Sequence, residues 1–257
     1  MTVYGMTDVG CVRRQNEDAF GHCLLSPPPK RKGSREAPAE ATLAVVSDGM
    51  GGANAGEIAS SLAVSSFLES VKGTKKKTAE GALREAIGRA NAAVYEKACA
   101  DPACAGMGCT VVAALAYEDS LVLLNVGDSR IYLSHDGRLL LLTHDHSYVQ
   151  QLVDAGWMSE EQARRSEYKN VITRAVGTHE RVEADIAVCQ WEEGDRLLLC
   201  TDGLTGALEE SDIQTLLSEQ CPVEEIANSL IMAGLMHGAD DNITALVLEN
   251  IKEKHND

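Results

Sequence analysis

The sequence predicts an α+β fold, a single domain in which antiparallel sheet layers are covered by helices. Three observations predict it. Helical patterns flank the chain on both sides of its middle third. That middle third holds four short runs rich in Val, Leu and Ile, separated only by turn-forming residues. Nowhere do strands and helices alternate in the βαβ rhythm that a parallel sheet requires.

Residues 18–25 read as extended. Pro27-Pro28-Pro29-Lys30-Arg31-Lys32-Gly33-Ser34-Arg35 suits neither strand nor helix interior, so 26–40 reads as a loop insertion leading to a strand at 42–47. That strand ends in Asp48-Gly49-Met50-Gly51-Gly52, and a helical pattern begins at about Ala55. Ile58, Leu62, Val64, Phe67, Leu68 and Val71 recur at roughly helical spacing. After a charged connector, Lys72–Lys77, a second helix runs from about Thr78 to Ala100, with Leu83, Ile87, Ala90 and Val94 on one face. Thr110–Tyr117, Ser120–Val126, Ser129–Ser134 and Arg138–Leu142 then read as an antiparallel meander. Residues 143–181 form a helical excursion, with a short helix near 147–155 and a capping box at Ser159-Glu160-Glu161-Gln162; an excursion of this length reads as a functional lid. Strands resume at 183–190 and 195–201, the second ending in Asp202-Gly203. Ser211 caps the next helix, Pro222 suits the first position of another with Val223, Ile226, Ala227, Leu230 and Ile231 as its buried stripe, and Ile243–Leu248 is the last strand.

The chain has 257 residues, enough to bury a substantial core, and its 44% hydrophobic and 24% charged content is that of a water-soluble globular protein. Aromatics make up only 4%, so Leu, Val, Ile and Ala must fill the core. A net charge of −16 argues against nucleic acid and against an anionic membrane surface. Eight cysteines occur without a Cys-x-x-Cys pair, which disfavours a zinc knuckle. The first residues lack the basic and apolar regions of a signal peptide, and no apolar run approaches the roughly 20 residues that span a bilayer. A cytoplasmic location with reduced thiols follows as the expectation.

Four acidic points share one design. Asp18 opens an extended run, Asp48 and Asp202 end apolar strands before Gly, and Asp241 stands just before the last strand. Singly, each reads as a turn residue or a helix cap. Together, carboxylates at the ends of adjacent strands can converge at one edge of a sheet, where they repel one another and resist ionising together. A hard divalent cation removes that conflict, and an oxygen-only ligand set without Cys or His points to Mg²⁺ or Mn²⁺.

The motifs around these points are Gly10-x-x-Arg13-x-x-Asn16-Glu17-Asp18, Asp48-Gly49-Met50-Gly51-Gly52, Gly106-Met107-Gly108-Cys109-Thr110, Val126-Gly127-Asp128-Ser129-Arg130, Asn170-Val171-Ile172-Thr173-Arg174-Ala175, Thr201-Asp202-Gly203 and Asp241-Asn242-Ile243-Thr244. In this order, and spread over nearly the whole chain, they resemble the bacterial-type metal-dependent serine/threonine protein phosphatases of type 2C. The resemblance implies a four-layer α-β-β-α sandwich, two antiparallel sheets flanked by helices, with a metal cleft at one edge. It implies two Mn²⁺ or Mg²⁺ ions bridged by Asp48, with the Gly49 carbonyl, Asp202 and Asp241 in the same shell and Asp18 and Glu17 acting through ordered waters. Asp128 with Asp202 matches the third metal position of bacterial relatives. The implied reaction is hydrolysis of protein phosphoserine or phosphothreonine by a metal-activated water, with Arg13 holding the phosphoryl oxygens in a fork. The implied setting is a monomer acting on phosphoproteins and opposing a bacterial serine/threonine kinase.

One departure concerns the proton on the leaving oxygen. Eukaryotic relatives place His directly after Asp-Gly, whereas this chain has Met50, as bacterial members do. His144, His146 and His179 lie in or near the lid and receive no role, and Cys109 reads as a packing change. A cysteine phosphatase needs Arg six residues after its Cys, and no cysteine here meets that; a P-loop nucleotidase is excluded because Gly-x-x-x-x-Gly-Lys-Ser/Thr is absent. The remaining rivals are a non-catalytic relative kept as a binding module, which would be expected to lose part of the acidic set, and a phosphatase of small metabolites.

Overall fold

A computed structural model describes residues 1–31, 39–51 and 55–251. Its strands are β1 (Thr2–Asp8), β2 (Asp18–Leu25), β3 (Ala41–Met50), β4 (Gly108–Cys109), β5 (Val111–Ala116), β6 (Ser120–Val126), β7 (Arg130–His135), β8 (Arg138–Leu141), β9 (Asp185–Gln190), β10 (Arg196–Cys200) and β11 (Ile243–Glu249). Its helices are α1 (Ala55–Lys72), α2 (Ala79–Ala100), α3 (Tyr148–Asp154), α4 (Glu160–Arg164), α5 (Asp202–Ala207), α6 (Glu210–Leu217) and α7 (Val223–Met236). One sheet has the order β2-β3-β5-β6-β9, with β4 paired to β3; the other has the order β1-β11-β10-β7-β8. Every pairing between these strands is antiparallel.

The layering explains why the central strands read as unbroken apolar runs. Side chains alternate across a strand, and here both faces are buried. Ala44 and Val46 of β3 meet Leu197 and Leu199 of β10 and Leu246 and Leu248 of β11 between the sheets. Leu43 and Val45 point the other way, onto Phe67 of α1 and Leu83 and Ile87 of α2. On the far side, Leu198, Cys200, Ala245 and Val247 pack under Leu204, Ile213, Ile226, Leu230 and Ile231. Sheets and helices therefore stack as the expected four layers.

The structure revises several local expectations. The meander is split: β5 and β6 pair in one sheet, β7 and β8 in the other, and the chain crosses between sheets at Gly127-Asp128-Ser129. Two strands of equal apolarity on either side of a Gly-Asp turn look like a hairpin in sequence, and only the second sheet tells them apart. β1 carries no clear sequence pattern because its residues are all half-buried at a sheet edge, and α5 is hidden because it follows Asp202 without a break. Ile58 is 39% exposed, since α1 turns its small residues, Ala59, Ser60 and Ala63, to the sheet. Pro222 is the residue before α7 rather than its first, and Glu209 with Asp212, not Ser211, forms the capping box of α6. The start of α2 at Thr78, which serves as its N-cap, the Ser159–Gln162 box and the buried stripes of α2 and α7 match expectation. The loop insertion is described only in part, because residues 32–38 lie outside the described residues, as does Gly52. Among the described residues no helix is long and apolar enough to cross a membrane.

Candidate metal centre

The acidic residues come from strand ends of both sheets. Asp18, first in β2, stands directly opposite Asp48 in the β2–β3 register. Asp202 follows β10, Asp241 precedes β11, and Asp128 sits on the crossing from β6 to β7. Residues almost the length of the chain apart are thus brought to one end of the sandwich.

Asp18 is held by hydroxyls of the opposite sheet. Its Oδ2 accepts from Thr201 Oγ1 at 2.8 Å and from Thr244 Oγ1 at 2.6 Å. Thr244 gives its hydrogen to Asp18, so Thr7 donates to Thr244 across 2.7 Å, and Thr7 in turn accepts from Asn16 Nδ2 at 2.8 Å. The other oxygen, Asp18 Oδ1, is buried and has no partner. Burial chiefly, with Asp202 and Asp241 nearby, pushes the Asp18 carboxyl up to about 7 despite the two hydroxyls.

Asp48 is fixed through its backbone. Its N–H donates to Thr110 Oγ1 at 2.9 Å, and its carbonyl accepts the Thr110 N–H at 2.8 Å. The side chain keeps a narrow opening to solvent but is otherwise enclosed. Enclosure first, then the charges of Asp18, Asp202 and Asp128, raises it well above the carboxylate range. Asp202 is raised as well, by burial and then by Asp241, with the Asp48 carboxyl beside it. Carboxyl groups this close cannot all ionise together unless something else neutralises them. Asp128 is 6% exposed and also raised well above its range, by burial and then by Asp202 and Asp145. Asp128 Oδ1 and Asp202 Oδ1 are buried without partners.

Gly49 and Glu17 complete the wall. A Cβ on Gly49 would stand 2.1 Å from the Gly56 carbonyl in the first turn of α1, so only glycine fits. Glu17 gives its carbonyl to Gly49 N–H at 3.0 Å and its own N–H to Asn242 Oδ1 at 2.8 Å. Its carboxyl lies beside the backbone of Gly56, and burial raises it. Arg13, half exposed, places Nη2 2.7 Å from Asp241 Oδ2. Lys169 of the 143–181 segment lies close enough to Asp202 to favour its charged form.

Among the described residues no three His, Cys, Asp or Glu side chains already form a closed cage, and Arg13 is paired with Asp241. The donor chemistry nevertheless fits a cation. Three orphaned buried carboxylate oxygens face shared repulsion, every available donor is oxygen, and sulfur and imidazole are kept out. Cys109 is buried, its Sγ 3.7 Å from the Ala59 carbonyl, and its thiol is pushed up to about 12, which leaves it an inert packing residue. Met50 ends β3 and has no proton to give. His144 pairs with Asp154 on the surface. Thr201, Thr244, Thr110, Ser129, Asn16 and Asn242 stand inside the sequence motifs, yet nothing in the motifs alone gives them a task; their place beside or within apolar strands is the one signal they carry.

Residues 31–234 match the family profile described as Protein phosphatase 2C. The serine/threonine phosphatase stp of Listeria welshimeri is 35% identical over 98% of this chain and 97% of that protein. The crystal structure of serine/threonine phosphatase Stp1 from Staphylococcus aureus superposes with a TM-score of 0.85 at 32% identity, covering 96% of this chain and 94% of that one. The catalytic domain of the serine/threonine protein phosphatase PstP in complex with two manganese ions superposes with a TM-score of 0.81 at 32% identity, covering 98% of each chain. Profile, full-length relatives and fold agree, and the chain belongs to the metal-dependent protein phosphatase 2C family of serine/threonine phosphatases.

Proposed function

We propose that Asp48, Asp202, Asp241 and the Gly49 carbonyl hold two divalent cations, Mn²⁺ or Mg²⁺, that Asp18 and Glu17 steady them through water, and that Asp128 with Asp202 takes a third. The observation that carries this reading is the set of orphaned carboxylate oxygens on Asp18, Asp128 and Asp202 around the enclosed Asp48. When bound, the ions supply a hydroxide-like water at neutral pH and neutralise charge on the phosphoryl oxygens.

The residues do the rest. Thr201 and Thr244 occupy one oxygen of Asp18 and so aim the other into the cleft. Thr110 fixes the backbone of Asp48, which keeps its carboxylate between the two sheets' strand ends. Arg13, already reaching inward to Asp241 through a single contact, exchanges that partner for two phosphoryl oxygens when substrate enters, a gain of one charge-assisted bond. Met50 donates nothing, so the leaving serine or threonine oxygen takes its proton from a water held in the cleft or from another group there. The 143–181 segment acts as the lid of one catalytic domain and selects among phosphoproteins. Phosphoprotein substrates imply a serine/threonine kinase acting in opposition, and we place the enzyme in the cytoplasm as a monomer.

The test is hydrolysis of an aryl phosphate and of phosphopeptides with Mn²⁺, then with EDTA. Turnover of both with Mn²⁺ and its loss with EDTA are expected. Activity that survives EDTA would contradict the reading, and a preference for small metabolites over phosphopeptides would redirect it.

A further inference from the structure

The crossing from one sheet to the other at Gly127-Asp128-Ser129 is gripped from two sides. On one side stands Thr110, whose Oγ1 takes the Asp48 N–H at 2.9 Å and bonds Ser129 Oγ at 2.7 Å. Gly127 has φ +107°, and a Cβ there would strike Thr110 Cγ2 at 2.6 Å. On the other side stands His146, 7% exposed. Its backbone N–H donates to the Gly127 carbonyl at 2.9 Å, and its ring Nδ1 accepts the Gly127 N–H at 3.0 Å.

This pair of bonds fixes the tautomer. Nδ1 is an acceptor, so Nε2 carries the hydrogen and donates to Asp185 Oδ2 at 3.2 Å on β9. Arg174 Nη1 lies 2.9 Å from Nε2 and gives its hydrogen to Asp185 Oδ1 at 2.8 Å, so it braces the carboxylate that orients the ring. Burial lowers the His146 pKa, in keeping with a neutral ring.

The same residue anchors the lid. The His146 carbonyl accepts the Thr173 N–H at 2.8 Å, Ser147 bridges to Ile172, and Tyr148 N–H donates to the Val171 carbonyl at 2.8 Å. The two ends of the lid are thereby closed onto each other at His146.

Resting on the metal-centre reading above, we propose that His146 is a positioning residue: through the Gly127 N–H it sets the direction of the Asp128 carboxylate, and through its backbone it ties the base of the lid to that carboxylate. It touches neither substrate nor ion. Losing the Nδ1 acceptor leaves a buried N–H unpaired and frees the crossing to turn, while the Asp48 side of the centre stays held by Thr110.

The experiment compares His146→Asn with His146→Gln. Asn carries an acceptor near the position of Nδ1, whereas Gln carries its amide nearer Nε2. Amide exchange at Gly127 is read in the metal-free protein, and the Mn²⁺ isotherm is read by calorimetry. We expect Asn to keep Gly127 protected and Gln to speed its exchange about tenfold, the scale of one lost buried bond. The weakest Mn²⁺ step should weaken about fivefold in His146→Gln, on the order of a modest positional loss, while tighter steps hold. Equal protection and equal isotherms in both variants, with unchanged circular dichroism, would overturn the proposal. So would protection lost in Asn and kept in Gln. Gly127 exchange reads the contact whether or not the chain is a phosphatase. Asp128→Asn separates the two readings: if it binds Mn²⁺ as wild type does, the ligand role of Asp128 fails while the Gly127 result still judges His146.

Discussion

The carboxylate centre and the lid are made by opposite means. At the centre, the acidic residues sit at strand ends, and Asp18, Asp48 and Glu17 are pinned by a hydroxyl, an amide or a backbone bond from a distant part of the chain. The lid consists of two short helices, α3 and α4, with Val149 and Ala163 as their buried side chains, and it leaves Trp157 81% and Tyr168 50% exposed. A reaction that depends on a few tenths of an ångström needs over-determined geometry, whereas recognition of varied partners tolerates a surface that can be rewritten. On the proposed reading, the contrast separates chemistry from selection, the two being joined mainly at the base of the lid.

The largest break should come from the centre itself. Asp48→Asn and Asp202→Asn are expected to lower turnover by about 10³-fold or more, the scale of losing preorganised charge at a reaction centre, while circular dichroism stays that of the wild type. Measured rates within tenfold of wild type would show that these side chains are not in the machinery.

The next effect is on the stability of the metal-free protein with pH. Asp18, Asp48, Asp128 and Asp202 all have folded-state pKa values raised above their ordinary value, Asp18 to about 7. Between the ordinary carboxylate range and those raised values the native state binds more protons than the unfolded one, so stability falls as pH rises through that window. A carboxyl whose proton affinity is raised tenfold by folding contributes about 1.4 kcal/mol to that fall at most. Thermal melts of EDTA-treated protein should therefore drop from about pH 5 to about pH 7.5, and Mn²⁺ should restore more at the higher pH. Asp48→Asn should lessen the drop; an unchanged or rising melting temperature would show that the carboxylates do not strain one another.

Thr244→Val is a finer probe. It removes one of the two hydroxyls on Asp18 while keeping the side-chain shape, and should cost about 1–3 kcal/mol in urea melts, the range for a bond to a charged group, with a weakened Mn²⁺ affinity. The smallest effect belongs to the lid. Trp157→Ala should change stability by less than about 0.5 kcal/mol, as exposed substitutions do. It should leave aryl phosphate hydrolysis intact and shift KM for phosphopeptides only.

Much of this is legible in the sequence because strand-end Asp-Gly pairs are short, local and repeated. Asp48-Gly49 and Asp202-Gly203 each advertise a carboxylate at the edge of a buried strand, and Asp18 and Asp241 complete the set. The stripes of α2 and α7 are equally legible, because helical periodicity is a local property. What escapes is whatever depends on a second partner. Thr201 and Thr244 look like ordinary strand residues until Asp18, 183 and 226 positions away, is placed beside them. The split between β6 and β7 escapes because both strands are buried on both faces, so their pattern does not say which sheet they join. His146 carries no sequence signal for its grip on Gly127, since that grip needs the crossing and the lid base to meet.

The pairing of Asp18 with Asp48 at the head of β2 and β3 has a further consequence. From that pair the two strands are matched residue by residue to Leu25 and Ala41, so the connection between them, 26–40, leaves from the opposite end. Lengthening that segment, or grafting an epitope tag into it, changes chain entropy by only a logarithm of its length and leaves the reacting end where it is. Deleting one residue from within β2 would instead turn its side chains to the wrong faces and carry Asp18 away from its mate. This chain is thus built to accept additions at one end of its first hairpin and none along its rails.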